Sequence, residues 1–130
     1  MVKVMAQGVF DILHPGHLHY LEKSAELGDS LTVVIARDSR VKTRKQLVFS
    51  EDERQKIVGA LEVVDEAILG VEGDIYETVE KVDPDVITLG YDQGHDAAEV
   101  EELAEEATGH DVEVVRIGEK EGYSSSDFKP

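Results

Sequence analysis

Cysteine and tryptophan are both missing from this chain, and the first absence removes several chemistries at once. Without a thiol there is no disulfide framework, no thiolate metal site and no cysteine nucleophile. Aromatic residues are scarce, three Phe and four Tyr, so those outside strands and inner helix faces need a reason. Bases are few as well: 13 Lys and Arg stand against 29 Asp and Glu, a formal net charge of -16. Such a balance argues against a nucleic-acid partner, because phosphate chains are gripped by Lys and Arg. It fits an ordinary acidic protein or one from a salt-rich cytoplasm, and composition leaves both open. No apolar run approaches the ~20 residues of a bilayer span. Met1 to Met5 reads as the start of a strand rather than a signal peptide, so the expected location is cytoplasmic, with no membrane partner. At 130 residues the expectation is one domain, burying roughly two-thirds of its unfolded surface.

What is present is a regular alternation. Val2 to Ala6, Leu31 to Ala36, Ala67 to Leu69, Val86 to Leu89 and Val112 to Ile117 read as five short strands. Apolar residues at three- and four-residue spacing separate them and predict helices. Leu18, Leu21 and Ala25 share the inner face of the first, which Gly28 is expected to end in a left-handed cap. Ser50 with Glu53 has capping-box spacing and opens a second, carrying Ile57, Val58 and Leu61. Asp74 with Glu77 opens a third with Ile75, Val79 and Val82; Val100, Leu103, Ala104 and Ala107 line a fourth, stopped by Gly109. The acid-rich stretch Glu99 to Glu106 is the solvated face of that helix. Strand–helix alternation predicts an α/β fold, a Rossmann-like, doubly wound five-stranded parallel sheet with helices on both faces. Ligands in such sheets sit beyond the carboxyl ends of the strands, where the strand order reverses.

The segment after the first strand carries the chemistry: Gly8-Val9-Phe10-Asp11-Ile12-Leu13-His14-Pro15-Gly16-His17. Pro15 suits the first turn of a helix, and Gly16 leaves room for a ligand to approach the backbone. His14 and His17 are three apart, so at a helix start they point to one side. A helix amino end adds N–H donors and partial positive charge, which together bind anions. Two imidazoles over such a site donate hydrogen bonds to a triphosphate and follow charge onto a leaving pyrophosphate. A pair of surface histidines capping a helix, or half of a metal site, is the plainer alternative. Lys42, Arg44 and Lys45 form the one basic cluster, placed after the second strand where phosphate charge would explain it; a solvated loop is the rival. Arg54 has two readings, phosphate binding or pairing with an acid on its own helix. His19, His95 and His110 carry no pattern and default to the surface.

These residues resemble the signature of the cytidylyltransferase-like nucleotidyltransferases. The similarity continues through Leu27-Gly28-Asp29, Glu53-Arg54, Val64-Asp65, Leu89-Gly90-Tyr91-Asp92 and Ser124-Ser125-Ser126, essentially the whole chain. Within the family, Phe10-Asp11-Ile12-Leu13-His14-Pro15-Gly16-His17 and Leu89-Gly90-Tyr91-Asp92-Gln93 look most like the archaeal FAD synthases, which adenylylate FMN. The resemblance implies a nucleotidyltransferase with ATP and FMN as substrates and FAD and pyrophosphate as products. It implies backbone contacts to the nucleotide at Val9 and Phe10, and triphosphate binding across His14, Pro15, Gly16 and His17. Asp92 would meet the nucleoside, and Tyr123, Ser124 and Ser125 would hold the nucleotide through hydroxyls and amides.

On this reading His14, His17 and Lys42 are the catalytic group, and Asp11, Lys45, Arg54 and Tyr91 are phosphate or acceptor candidates. Phe10, Tyr91 and Tyr123 all fall in loops beyond the strand ends, where walls for a flavin ring would be needed. The cofactor implied is a divalent ion, Mg2+ or similar, that arrives with ATP rather than sitting in a dedicated protein cage. A homodimer is implied by relatives alone. Two departures stand out. The Arg-x-Glu-Gly of the cytidylyltransferases has Glu119 at its Arg position, which argues against CTP. The chain also stops at Asp127-Phe128-Lys129-Pro130, so the family's closing helix is expected to be absent or shortened. The rival readings are a CTP enzyme acting on glycerol 3-phosphate or another small phosphoester, and a nucleotide-binding module without turnover.

Overall fold

The apolar runs become strands of one sheet in the computed structural model, which describes residues 1–41, 47–71, 75–90 and 96–118. In chain order the elements are β1 (Lys3–Gly8), α1 (Pro15–Ala25), β2 (Ser30–Ile35), α2 (Glu51–Gly59), β3 (Glu66–Leu69), α3 (Ile75–Val82), β4 (Val86–Gly90), α4 (Ala97–Thr108) and β5 (Glu113–Ile117). A single 3-10 turn at Asp38–Arg40 follows β2. All strand pairs are parallel, in the order β3-β2-β1-β4-β5. This is the doubly wound α/β sheet that the alternation predicts, and its order reverses between β1 and β4.

Strands covered on both faces send alternate side chains into two cores. Val4, Ala6, Leu31, Val33, Ile35 and Val86 meet Tyr20 and Leu21 of α1 and Val58 of α2. Met5, Val34 and Ile87 face the other way, toward Val79 and Val82 of α3 and Ala104 of α4. The pairing along β1 is unequal. It runs for six residues with β2, Lys3 to Gly8, yet joins β4 only at Val4–Val86 and Met5–Ile87. Beyond Met5 the two central strands part, and the crevice this leaves lies at the switch point.

The helices depart from the expected faces in ways that matter for the site. In α1 the buried residues are Tyr20, Leu21 and Ser24, while Leu18 is 38% exposed. Polar Tyr20 and Ser24 displace an apolar stripe because Thr88 of β4 offers them partners (below). In α2, Val58 points inward as expected, but Arg54 is fully buried where Ile57 is not. In α3, Val79 and Val82 are buried and Ile75 stays at the rim. Ser50 and Glu53 form their reciprocal box, with Glu53 N–H donating to Ser50 Oγ at 3.3 Å and Ser50 N–H to Glu53 Oε1 at 3.0 Å. Asp74 lies outside the described residues.

Two glycines divide the roles expected of one. Gly109 ends α4 in the left-handed conformation, φ +79°. Gly28 does not end α1 that way: the helix closes through Glu26 in the right-handed region. Space is what requires Gly28, since a Cβ there would lie 2.6 Å from Val4 Cγ2 and 2.7 Å from the Val2 carbonyl oxygen.

Candidate active site

The site is built on the loop from β1 to α1, and each step of that loop is held by a neighbour. Phe10 turns the chain sharply with a left-handed φ of +52°, a conformation that costs a bulky residue on the order of 1–3 kcal/mol and persists only when its surroundings hold it. The ring supplies that hold. It folds back onto Gly8, where an added Cβ would stand 2.8 Å from two ring carbons. It stacks on Tyr20 with centroids 6.4 Å apart and meets the edge of His17 at 5.6 Å. This explains why Gly stands two before Phe, and it corrects one expectation. With 5% exposure the Phe10 ring is core, not a wall open to a flavin.

His14 and His17 cap each other's helix turn. His14 is the N-cap of α1, in extended conformation, and Pro15 is the first helical residue. His14 Nδ1 accepts from Gly16 N–H at 3.0 Å, and His17 Nδ1 accepts from His14 N–H at 3.2 Å. His17 N–H goes to the His14 carbonyl at 2.9 Å. The helix start therefore has no free N–H in its first turn, contrary to expectation: Pro15 has none, and the others are consumed by the reciprocal cap. The same bonds fix the imidazoles. An Nδ1 that accepts leaves the proton of the neutral ring on Nε2, so both rings carry an Nε2–H donor. Their centroids lie 3.9 Å apart at a 30° tilt. The result is two adjacent imidazoles, each with an Nε2–H, at the positive end of a helix dipole.

Asp11 and Arg54 hold the neighbouring backbone. Asp11 accepts from Val48 N–H at 3.0 Å and Phe49 N–H at 2.9 Å, joining the β1–α1 loop to the segment that enters α2. Arg54 sends its guanidinium to three places: Asp38 Oδ1 at 2.6 Å, the Val9 carbonyl at 2.8 Å and the Phe49 carbonyl at 3.2 Å. It pairs with an acid, as one reading held, but on the turn after β2 rather than on its own helix. Glu51 completes the tie by accepting from Asp38 N–H at 2.8 Å and Arg37 Nη1 at 3.3 Å.

The structure thus brings Val9, Phe10, Asp11, His14, Pro15, Gly16, His17 and Arg54 together at the carboxyl ends of β1 and β2. Lys42, Arg44, Lys45, Tyr91, Asp92, Tyr123, Ser124 and Ser125 lie outside the described residues. His110, on the opposite edge of the sheet, pairs with Asp83 at 2.9 Å. Sequence reasoning missed Tyr20, Ser24 and Thr88. Their signal was a polar pair four apart on a helix that had to bury a face, Tyr20 and Ser24. Among the described residues no three His, Asp or Glu side chains gather as a metal site, and no helix is long and apolar enough to cross a membrane.

A parallel sheet split at its switch point, with a His-x-Gly-His helix start beside the split, defines a nucleotide-binding α/β fold of the nucleotidyltransferase class. The Cytidylyltransferase-like family profile matches residues 5–129, and the chain belongs to that family. It is 50% identical to the FAD synthase of Picrophilus torridus over 98% of this chain and 94% of that protein. It is equally, 50%, identical to the FAD synthase of Thermoplasma volcanium over 97% of this chain and 89% of that one. Its fold matches the crystal structure titled as the lipopolysaccharide core biosynthesis protein from Thermoplasma volcanium GSS1. That match has a TM-score of 0.86 and 50% identity, and covers 93% of this chain and 99% of the other.

Proposed function

We infer that this chain is an FMN adenylyltransferase: it transfers AMP from ATP to FMN, giving FAD and pyrophosphate. The observation that carries the reading is the pair of His14 and His17 imidazoles, each fixed at Nδ1 by a backbone N–H and 3.9 Å apart at a helix start, in a family of nucleotidyltransferases. Half-identity to FAD synthases along nearly the whole chain selects the acceptor. An FMN phosphate oxygen, already ionised near neutral pH, attacks the α-phosphorus of ATP in line. The new P–O bond forms as the bond from the α-phosphorus to the bridging oxygen breaks, and pyrophosphate leaves with that electron pair. No general base is needed, so catalysis is positioning and charge stabilisation. The two imidazoles donate to the triphosphate and follow charge toward the leaving group.

Other roles are assigned on family resemblance. Lys42 and Lys45 neutralise phosphate. Asp92, Tyr123, Ser124 and Ser125 hold the nucleotide, Tyr91 borders the acceptor, and Val9 and Phe10 offer backbone groups. Asp11 and Arg54 act from behind, by fixing the loops. A divalent ion arriving with ATP would offset phosphate charge beside His14, His17 and Lys42.

The test is pyrophosphate release with ATP or CTP against FMN, glycerol 3-phosphate and phosphopantetheine. FAD from ATP plus FMN is expected, with ATP preferred over CTP by at least about tenfold, roughly 1.4 kcal/mol. Efficient CTP turnover on glycerol 3-phosphate without FAD would replace the acceptor. ATP binding with no pyrophosphate from any pair would leave a binding module.

A further inference from the structure

The parting of β1 and β4 has a specific occupant. Gly8 C=O accepts from Ala36 N–H beyond β2 at 2.9 Å, so even-numbered residues of β1 turn their backbone to β2 and odd-numbered ones to β4. After the last pair, Met5–Ile87, the next rung of a parallel ladder would carry Gln7 N–H to the Thr88 carbonyl. It is not made directly. The Tyr20 hydroxyl stands in the rung, accepting from Gln7 N–H at 3.3 Å and donating to Thr88 C=O at 2.9 Å. The same carbonyl is also reached through Gln7 Nε2 at 2.6 Å. Gln7 shares the Met5 face of β1, so Thr88 C=O is gripped from both faces of the sheet. Thr88 Oγ1 adds a bond to the Tyr20 hydroxyl at 3.2 Å.

We propose that Tyr20 is a positioning residue for nucleotidyl transfer: its hydroxyl, inserted between the two central strands, holds the crevice open and sets the His14–His17 pair over it. The connection is short. Tyr20 lies one helical turn after His17 on the same helix, and the Phe10 ring, stacked on Tyr20, meets the edge of His17. Movement of α1 along or around its axis moves both imidazoles, and Tyr20 itself is buried. Burial pushes its hydroxyl up to about 12, with the Thr88 and Gln7 hydrogen bonds opposing. The hydroxyl therefore keeps its proton throughout the working pH range and acts as a fixed spacer. This rests on the His pair being the transfer site, and not on the identity of the acceptor.

The experiment compares Tyr20→Phe with Ser24→Ala in the full chain. Tyr20→Phe keeps the ring and its stacking but lets Gln7 N–H and Thr88 C=O close on each other. Ser24→Ala deletes a fully buried hydroxyl of the same network, bonded to Tyr20 C=O and Thr88 Oγ1, that is not in the rung. Tyr20→Phe is expected to lower kcat for FAD formation by 10- to 100-fold, the order seen for small misplacements. KM for ATP should stay within about threefold, and the His17 ring resonances should shift in the NMR spectrum of the free protein. Ser24→Ala should lower Tm at least as far while holding kcat within about twofold. Unchanged kcat and unchanged His17 resonances in Tyr20→Phe would overturn the proposal; so would a loss of kcat in Ser24→Ala equal to that of Tyr20→Phe. If the unmodified chain made no FAD, the acceptor reading would fall, and the His17 resonances would still decide this one.

Discussion

The two flanks of β1 behave oppositely. Toward β2 the strand is paired along all six residues, and the loops beyond it are tied by side chains: Asp11 to Val48 and Phe49, Arg54 to Val9, Asp38 and Phe49. Toward β4 it is paired at two positions, and a tyrosine hydroxyl replaces the next rung. The tied flank holds the loop that carries the histidines; the open flank leaves the central strands apart at the switch point. A switch-point site needs both, because a crevice without fixed walls positions nothing and fixed walls without a crevice admit nothing.

The largest effect is expected from the histidines themselves, which the tied flank holds in place. His17→Ala, or His14→Ala, is expected to lower turnover by on the order of a hundredfold through loss of a transition-state donor. Far-UV circular dichroism should show the fold intact, and near-normal steady-state turnover in both variants would remove the central claim. The tied flank breaks differently. Arg54→Met leaves the Val9 and Phe49 carbonyls and the half-exposed Asp38 without their buried donor, so stability should fall by about 2 kcal/mol, the cost of unmet acceptors. Urea unfolding measures this directly, and a loss under about 1 kcal/mol would mean the flank does not depend on Arg54. The smallest effect belongs far from either flank. His110 is drawn above the ordinary histidine range by its bonds to the Asp111 carbonyl and to Asp83. A raised folded value stabilises below the unfolded value of about 6.5 and loses that contribution as pH rises through the folded one. Relative to the unmodified chain, His110→Gln should therefore lose a little Tm at pH 5 and nothing at pH 9, while FAD formation stays unchanged.

The contrast also marks what the sequence made legible. Alternating β-branched runs and helical spacing predict the five strands, their parallel arrangement and the placement of His14 and His17 after β1, because periodicity reports burial directly. The Ser50–Glu53 box and the Gly109 stop were readable from local bonding rules. Phe10 was not, since a loop aromatic gives no sign that its ring will fold back into the core. The burial of Arg54 and of the Tyr20–Ser24 pair was not legible for one reason: pattern reasoning sends polar residues outward, and here each is buried by partners distant in the chain. Thr88 is 64 residues from Ser24, and Val9 is 45 from Arg54. No window of sequence contains both ends of such a bond.

Gly28, at the far end of α1, has a mechanical meaning. The helix is 11 residues long, a rod of about 16 Å, with the histidines at one end and Gly28 just past the other. A methyl group at Gly28 meets the Val2 carbonyl at 2.7 Å, and backbone cannot yield there, so the turn must back away and carry the rod with it. A side chain at Gly28 would press on the end of α1 opposite the histidines. Among glycines chosen for space rather than for conformation, this one works as the seat of a lever.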